Sequence, residues 1–324
     1  VSTVEQHMSH SITVESPAAR VYQLISAIES WPLYFAPNVH VEILARSDTE
    51  ERVRIWATAN GEVKSWTSRR ELDPDRLTIA FRQEVSQAPV ASMGGTWRVV
   101  PVTDERCELW LDHGFTAVDD DPQLTEWITK AVDRNSESEL GAAKSLAESG
   151  DDLAELEFSF EDTVRIDGAA AKIMEFLDRA DLWPTRLEHV SRLELSEDGS
   201  GVQRMSMDTR TADGSMHTTE SVRVCLRDED RIVYKQTLTP ALLRAHTGEW
   251  RITRAPEGGV DVTSRHSVII RAEAVANVLG EKATVADARS FVRQALSRNS
   301  GMTLACAKEF AEGRSRSGSA TAPA

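Results

Sequence analysis

The stretch GEVKSWTSRREL (residues 61–72) puts Trp66, Ser68 and Arg70 on one face of a strand and Thr67 and Arg69 on the other, because strand side chains alternate. An indole, a hydroxyl and a guanidinium in line are unusual for a core face. The pattern returns about 153 residues later, where Gly214 precedes SMHTTESVR and Thr219, Ser221 and Arg223 take the matching places. Ser221 and Arg223 are kept, whereas Thr219 replaces the tryptophan.

Working outward, the rest of the chain repeats too. SWPLYF from Ser30 matches LWPTRL from Leu182, and TWRVVP around Trp97 matches EWRITR around Trp250. His113 matches His266, and DRNSESELGAAKSLAE matches SRNSGMTLACAKEFAE, which pairs Arg134 with Arg298 and Asn135 with Asn299. Matches in the same order at a nearly constant offset make two copies of one unit of about 150 residues, a full domain rather than a solenoid repeat. The polar ESGDDLAE (residues 148–155) contains a turn-prone Gly-Asp and marks the junction. The expected organisation is residues 1–152, residues 153–312 and a disordered tail, residues 313–324, of small polar composition.

Each unit reads as strand, helix, meander, long helix. After HSITVE, Pro17 starts a helix whose stripe is Val21, Leu24, Ile25 and Ile28. Trp31-Pro32 is expected to end it, since a residue before proline avoids helical geometry. Short alternating runs from Val39 to Ala117 predict an antiparallel meander. A helix over 122–148 follows, with Leu124, Trp127, Ile128, Ala131, Asn135, Ala143 and Leu146 on its stripe, and its copy is expected over 283–312. The class is α+β: a curved antiparallel sheet around a long helix, with space between them for a ligand.

The bulk numbers narrow the partners. A net charge of −15 over 324 residues disfavours nucleic acid and anionic membrane surfaces. No run approaches the ~18 apolar residues of a membrane helix. The first residues lack a basic flank before an apolar stretch, so no signal peptide is expected. Cys107, Cys225 and Cys306 are scattered, which predicts core thiols in a reducing cytoplasm rather than a zinc site or dithiol. No glycine-rich phosphate loop and no His/Cys cluster with ligand spacing occurs, so neither metal nor cofactor is expected.

Trp31-Pro32, the Trp66-x-Ser68-x-Arg70 strand, Met93 before Trp97, and Asn135 on the final helix together resemble the bacterial aromatic polyketide aromatase/cyclases, which have the START-like helix-grip fold. The doubling resembles their di-domain class, over residues 11–312. The resemblance implies an interior pocket that takes a ketoreduced poly-β-ketone from an acyl carrier protein. It closes the first ring by an aldol reaction and eliminates water to give an aromatic ring. It implies working partners in a minimal polyketide synthase and a ketoreductase, and the chain is expected to act as a monomer. Trp66, Ser68, Arg70, Trp31, Met93 and Asn135 match pocket positions of the family. Some single-domain relatives have a pocket tyrosine where this chain has Asn38. In the second unit Thr219, Ser221, Arg223, His246 (in place of Met93) and Asn299 take the matching places, so the two pockets are expected to be open and to differ.

Such chemistry suits these groups. A guanidinium stabilises developing enolate or alkoxide charge, a serine donates to a neighbouring oxygen, and flat indoles suit a chain becoming planar. Arg70 and Arg223 serve as cations and not as bases, with Ser68 and Ser221 beside them. Bland readings stand next to these. Arg70 pairs with Glu71 or Asp73 or in a buried structural pair, Trp31, Trp66 and Trp97 are core, Asn135 and Asn299 bend or cap their helices, and His113 and His266 are satisfied at a sheet edge. A non-catalytic carrier of a lipid or aromatic polyketide is the alternative function. Polar groups facing inward separate the two, because a lipid carrier's lining is almost wholly apolar. Docking of an acidic carrier protein calls for a basic patch at the pocket mouth, with Arg69 or Arg82 as candidates.

Overall fold

The computed structural model describes residues 5–150, 152–210 and 214–313; the expected tail from residue 314 lies outside the described residues. The chain divides between Ala154 and Glu155 into two compact units. In the first, β1 (Gln6–Val14) is followed by α1 (Ala18–Ser26) and α2 (Trp31–Tyr34). Then come β2 (Asn38–Arg46), β3 (Glu50–Ala59), β4 (Glu62–Asp73), β5 (Thr78–Val85), β6 (Val90–Thr103), β7 (Arg106–Ala117) and α3 (Pro122–Glu148). The strands form one antiparallel sheet in the order β1-β7-β6-β5-β4-β3-β2, the expected meander with the first strand returning to pair with the last.

A short helix, α4 (Asp152–Leu156), leads into the second unit. There β8 (Glu157–Ile166), α5 (Ala170–Asp178) and α6 (Trp183–Arg186) precede β9 (Val190–Glu197), β10 (Val202–Arg210) and β11 (Met216–Leu226). β12 (Arg231–Leu238), β13 (Leu243–Arg254), β14 (Val260–Ile270), α7 (Val275–Leu279) and α8 (Val285–Ala311) complete it, and the sheet order β8-β14-β13-β12-β11-β10-β9 repeats the first. Among the described residues no helix is long and apolar enough to cross a membrane.

Local chemistry explains the long helices. Asp121 caps α3 by accepting from the backbone of Gln123 and Leu124, and Thr284 with Asp287 forms a capping box on α8. Each α3 side chain buried on the sheet, such as Ile128 or Leu140, contributes about 1.5–3 kcal/mol. α3 lies across β1 and β7 and touches α1.

One local expectation is corrected. Trp31-Pro32 does not end the first helix. α1 already stops at Ser26, and Trp31 opens α2 in helical geometry with Pro32 in its first turn. A proline there loses no hydrogen bond, because first-turn N–H groups have no helical acceptor. Trp31 is held by its indole N–H, which donates to the Ile25 carbonyl at 3.2 Å; Trp183 does the same to Phe176 at 3.0 Å.

Candidate active site

Between α3 and the concave face of the first sheet lies a cavity with about 1050 Å³ of atom-free space, its open mouth included. β4 contributes Lys64, Trp66, Ser68 and Arg70 in alternation. At about 6.8 Å per two residues, that row runs about 20 Å along the wall. Trp31, Met93 and Asn135 line the same cavity, so the first-unit residues matched to the family pocket come together.

Arg70 is 2% exposed. The β3–β4 register sets Glu51 opposite it, and its Nη1 donates to Glu51 Oε2 at 2.7 Å. Its Nη2 donates to the Ile25 carbonyl at 2.8 Å, at the end of α1, where carbonyls lack helical donors. The acid paired with Arg70 is thus Glu51 rather than its sequence neighbours Glu71 and Asp73. Burial pushes the guanidinium down to about 10 and Glu51 opposes this, so it remains a cation at neutral pH. Its centre sits 5.0 Å from the Trp31 ring centroid.

The remaining wall is aromatic with fixed polar points. Trp97 packs edge-on to Trp31, with ring centroids 6.1 Å apart, and lines the cavity. Gln83 Nε2 donates to Met93 Sδ at 3.6 Å. Asn135 Nδ2 donates to the Thr58 carbonyl at 2.9 Å, which ties α3 to β3. Sequence reasoning missed Glu139, which lines the cavity and accepts from Asn38 Nδ2 at 3.1 Å. Its signal was spacing: one turn beyond Asn135, it continues the same helix face.

His113 requires a correction. It is not at a sheet edge: β7 lies between β1 and β6, and the ring lines the cavity edge-on to Phe81, with centroids 5.5 Å apart. Burial pushes its pKa down to about 4, so it is neutral at pH 7, and its buried Nδ1 has no partner among the described residues. Arg69 and Arg82 do not form a basic mouth. They face outward, opposite one another in register, with Arg69 bonded to Glu50 and Glu71 and Glu84 close by. In the second unit Thr219, Ser221 and Arg223, the counterparts of Trp66, Ser68 and Arg70, are all buried.

The second unit's arginine has different company. Gln203 stands opposite Arg223 where Glu51 stands opposite Arg70. Arg223 is 1% exposed and donates from Nη2 to the Leu177 carbonyl, while Nε and Nη1 have no partner among the described residues. Burial pulls its pKa down. Asp178 and Glu197 are both bonded to Arg227, and Gln203 Nε2 donates to Glu197 at 3.0 Å.

His246 belongs to a buried polar cluster: its Nε2 lies 3.0 Å from His266 Nδ1, which is 3.2 Å from Tyr234 Oη, and Ser264 Oγ is 3.1 Å from His266 Nε2. His266 is buried and, like His113, lies on an inner strand of its sheet, here β14, so it too is not at a sheet edge. Burial lowers the pKa of both imidazoles, His266 to about 4. Asn299 does not join this wall. It is exposed, because α8 turns Ser300, Thr303, Leu304 and Ala307 inward. Among the described residues, no three His, Cys, Asp or Glu side chains come together so as to hold a metal ion.

Comparison with known proteins bears on this cavity. Residues 5–148 match the family described as polyketide cyclase / dehydrase and lipid transport. The granaticin polyketide synthase bifunctional cyclase/dehydratase of Streptomyces violaceoruber is 46% identical over 304 residues, 94% of this chain and 93% of that one. The chain belongs to the polyketide cyclase/dehydratase family. Its doubled form is shared as well. The actinorhodin polyketide synthase bifunctional cyclase/dehydratase of Streptomyces coelicolor is 45% identical, over 93% of this chain and 95% of that one. The solved di-domain ARO/CYC BexL from the BE-7585A biosynthetic pathway is 50% identical, covers 96% of this chain and 100% of its own, and has a TM-score of 0.82. StfQ, the di-domain ARO/CYC from the steffimycin pathway, is 35% identical over 95% of this chain and 99% of its own, with a TM-score of 0.79. This family member therefore has two units of the α+β class expected from its repeat, each a seven-stranded antiparallel sheet with a long C-terminal helix, as a di-domain ARO/CYC.

Proposed function

We propose that the first-unit cavity takes a ketoreduced poly-β-ketone from an acyl carrier protein, closes its first ring by an aldol reaction and removes water to give an aromatic ring. The observation that carries this reading is the row Trp66, Ser68, Arg70 on a cavity wall closed by Trp31, Trp97 and Met93. Confinement selects which methylene meets which carbonyl, and fixing that geometry contributes roughly 7–11 kcal/mol in favourable cases. The Arg70 cation faces the oxygen on which charge develops, Ser68 donates to a neighbouring oxygen, and the indoles hold the flattening chain. A lining with this much fixed polarity favours chemistry over carriage of an apolar lipid.

In this reading Ser221 and Arg223 of the second unit handle an oxygen-rich ligand in different surroundings, since Thr219 and His246, both buried, stand where the first unit has Trp66 and Met93. Replacement of Glu51 by Gln203 leaves Arg223 without a directly opposed carboxylate and favours a ligand carrying enolate character. The partners in this reading are the carrier protein, the minimal polyketide synthase and the ketoreductase.

The test is reconstitution with a minimal synthase and ketoreductase. Adding this protein is expected to shift the product from shunt compounds to the first-ring aromatic. An identical product profile with and without it refutes the reading.

A further inference from the structure

We propose that the hydroxyl of Ser136, on α3, reads a ketone oxygen of the chain held in the first-unit cavity and thereby sets where along the cavity that chain lies. The inference rests on the polyketide reading above and goes beyond it by naming a specificity residue on the helix wall.

Ser136 lines the cavity and is 1% exposed. Its Oγ is buried and has no hydrogen-bond partner among the described residues. A buried hydroxyl without a partner costs folding free energy. A helical hydroxyl has a ready remedy, a bond back to the carbonyl four residues earlier. Thr125 and Thr129 of the same helix segment take it, donating to the carbonyls of Asp121 and Thr125 at 2.9 and 2.8 Å.

The internal repeat supplies an independent argument. Aligning the two long helices on Arg134 and Arg298 puts Ser300 at the place of Ser136. Ser300 Oγ donates to the Leu296 carbonyl at 2.9 Å. The same residue at the same place of the same fold is thus satisfied in one unit and left bare in the other, and the bare one lines the cavity. Alanine would suit α3 better there, with higher helix propensity and no oxygen to leave unpaired. The other α3 side chains of the lining are apolar or engaged. Ile128, Ala131 and Val132 have no polar group, Asn135 donates to the Thr58 carbonyl, and Glu139 accepts from Asn38.

A hydroxyl without an acceptor in a cavity wall complements a ligand oxygen. A ketone accepts and cannot donate, so Ser136 is the donor of the bond. A site built to pair a ligand oxygen rejects a ligand that lacks it, because the site's own polar group is then left unpaired. Ketones recur at every second carbon of the substrate. Holding one of them from α3 fixes where the rest fall along the β4 row, and so which methylene meets which carbonyl. Ser136 forms and breaks no covalent bond in this role.

The probes are the N-acetylcysteamine thioesters of decanoic acid and of its 3-oxo, 5-oxo, 7-oxo and 9-oxo derivatives, which carry too few ketones to make an aromatic ring. Their affinities for the full chain are read by quenching of the cavity tryptophans. The wild type is expected to bind one or more oxo probes roughly tenfold more tightly than the parent. Ser136→Ala should lower that preference about three- to tenfold, the net worth of one hydrogen bond, and leave the parent's affinity unchanged. Ser136→Cys, close in size to serine but a weak donor, should behave as Ser136→Ala does. The urea midpoint of Ser136→Ala should hold or rise, because no intramolecular bond is lost. A lowered midpoint would mark a structural hydroxyl and overturn the proposal. So would a wild-type oxo preference in Ser136→Ala or Ser136→Cys, and in that event the polyketide reading stands on Arg70 and Ser68. If the wild type prefers no oxo probe over the parent, both fall.

Discussion

Glu51 and Arg70 form a buried ion pair, Oε2 to Nη1 at 2.7 Å, on a cavity wall where the second unit pairs Gln203 with Arg223. The pair does two things. It keeps a cation inside a largely apolar cavity, and through the Ile25 carbonyl it ties α1 to the sheet. Removing one member of a buried pair costs about 3–5 kcal/mol when the other is stranded, but Glu51 keeps Arg46.

Arg70→Ala is therefore expected to abolish first-ring aromatisation while the protein stays folded, with unfolding free energy reduced by about 3 kcal/mol. Circular dichroism and urea denaturation check the fold, and reconstituted product formation checks the role. Normal product at the normal rate contradicts it.

Arg223→Ala is expected to give a different shunt product from Arg70→Ala, because Thr219, His246 and Tyr234 replace Trp66, Met93 and Phe81 around it. Chromatography with mass spectrometry of each variant decides. A silent Arg223→Ala would mark the second unit as a brace.

Gln203→Glu, which copies the first unit's acid, is expected to destabilise rather than stabilise. Gln203 donates to Glu197 and lies beside Asp178, so a third carboxylate there loses a donor and adds repulsion. Loss of a buried hydrogen bond alone costs about 1–3 kcal/mol. A raised urea midpoint would show that charge pairing with Arg223 outweighs both.

Acid should weaken the fold between pH 6.5 and 4. His113 and His266 are depressed to about 4 in the folded state from 6.5, so over that window the unfolded chain binds more protons. Stability then rises with pH, is fully present above 6.5, and is lost as pH falls through 4, by up to about 3 kcal/mol for each histidine. Urea midpoints from pH 7 to pH 4.5 measure the slope, and His113→Phe should flatten it. A wild-type midpoint independent of pH refutes this.

Asn135→Ala should cost about 1 kcal/mol through its bond to the Thr58 carbonyl, whereas Asn299→Ala should be silent. Equal effects in thermal melts would overturn the asymmetry seen between the two helices.

The architecture was legible because its signals are local. Alternation along residues 61–72 and helical spacing over 122–148 are properties of neighbouring residues, and the repeat needed only the chain compared with itself. The cavity wall followed, since β4 must face Trp66, Ser68 and Arg70 the same way. What the sequence could not decide is who meets whom across the sheet. Glu51 reaches Arg70 from 19 residues away through the β3–β4 register, and Asn38 reaches Glu139 from 101 residues away by the docking of α3. Such contacts depend on register and on how each helix docks, and Asn299 is exposed while its match Asn135 stays partly buried. Side-chain spacing within one element determines its faces; only packing between elements chooses the partner for each buried charge.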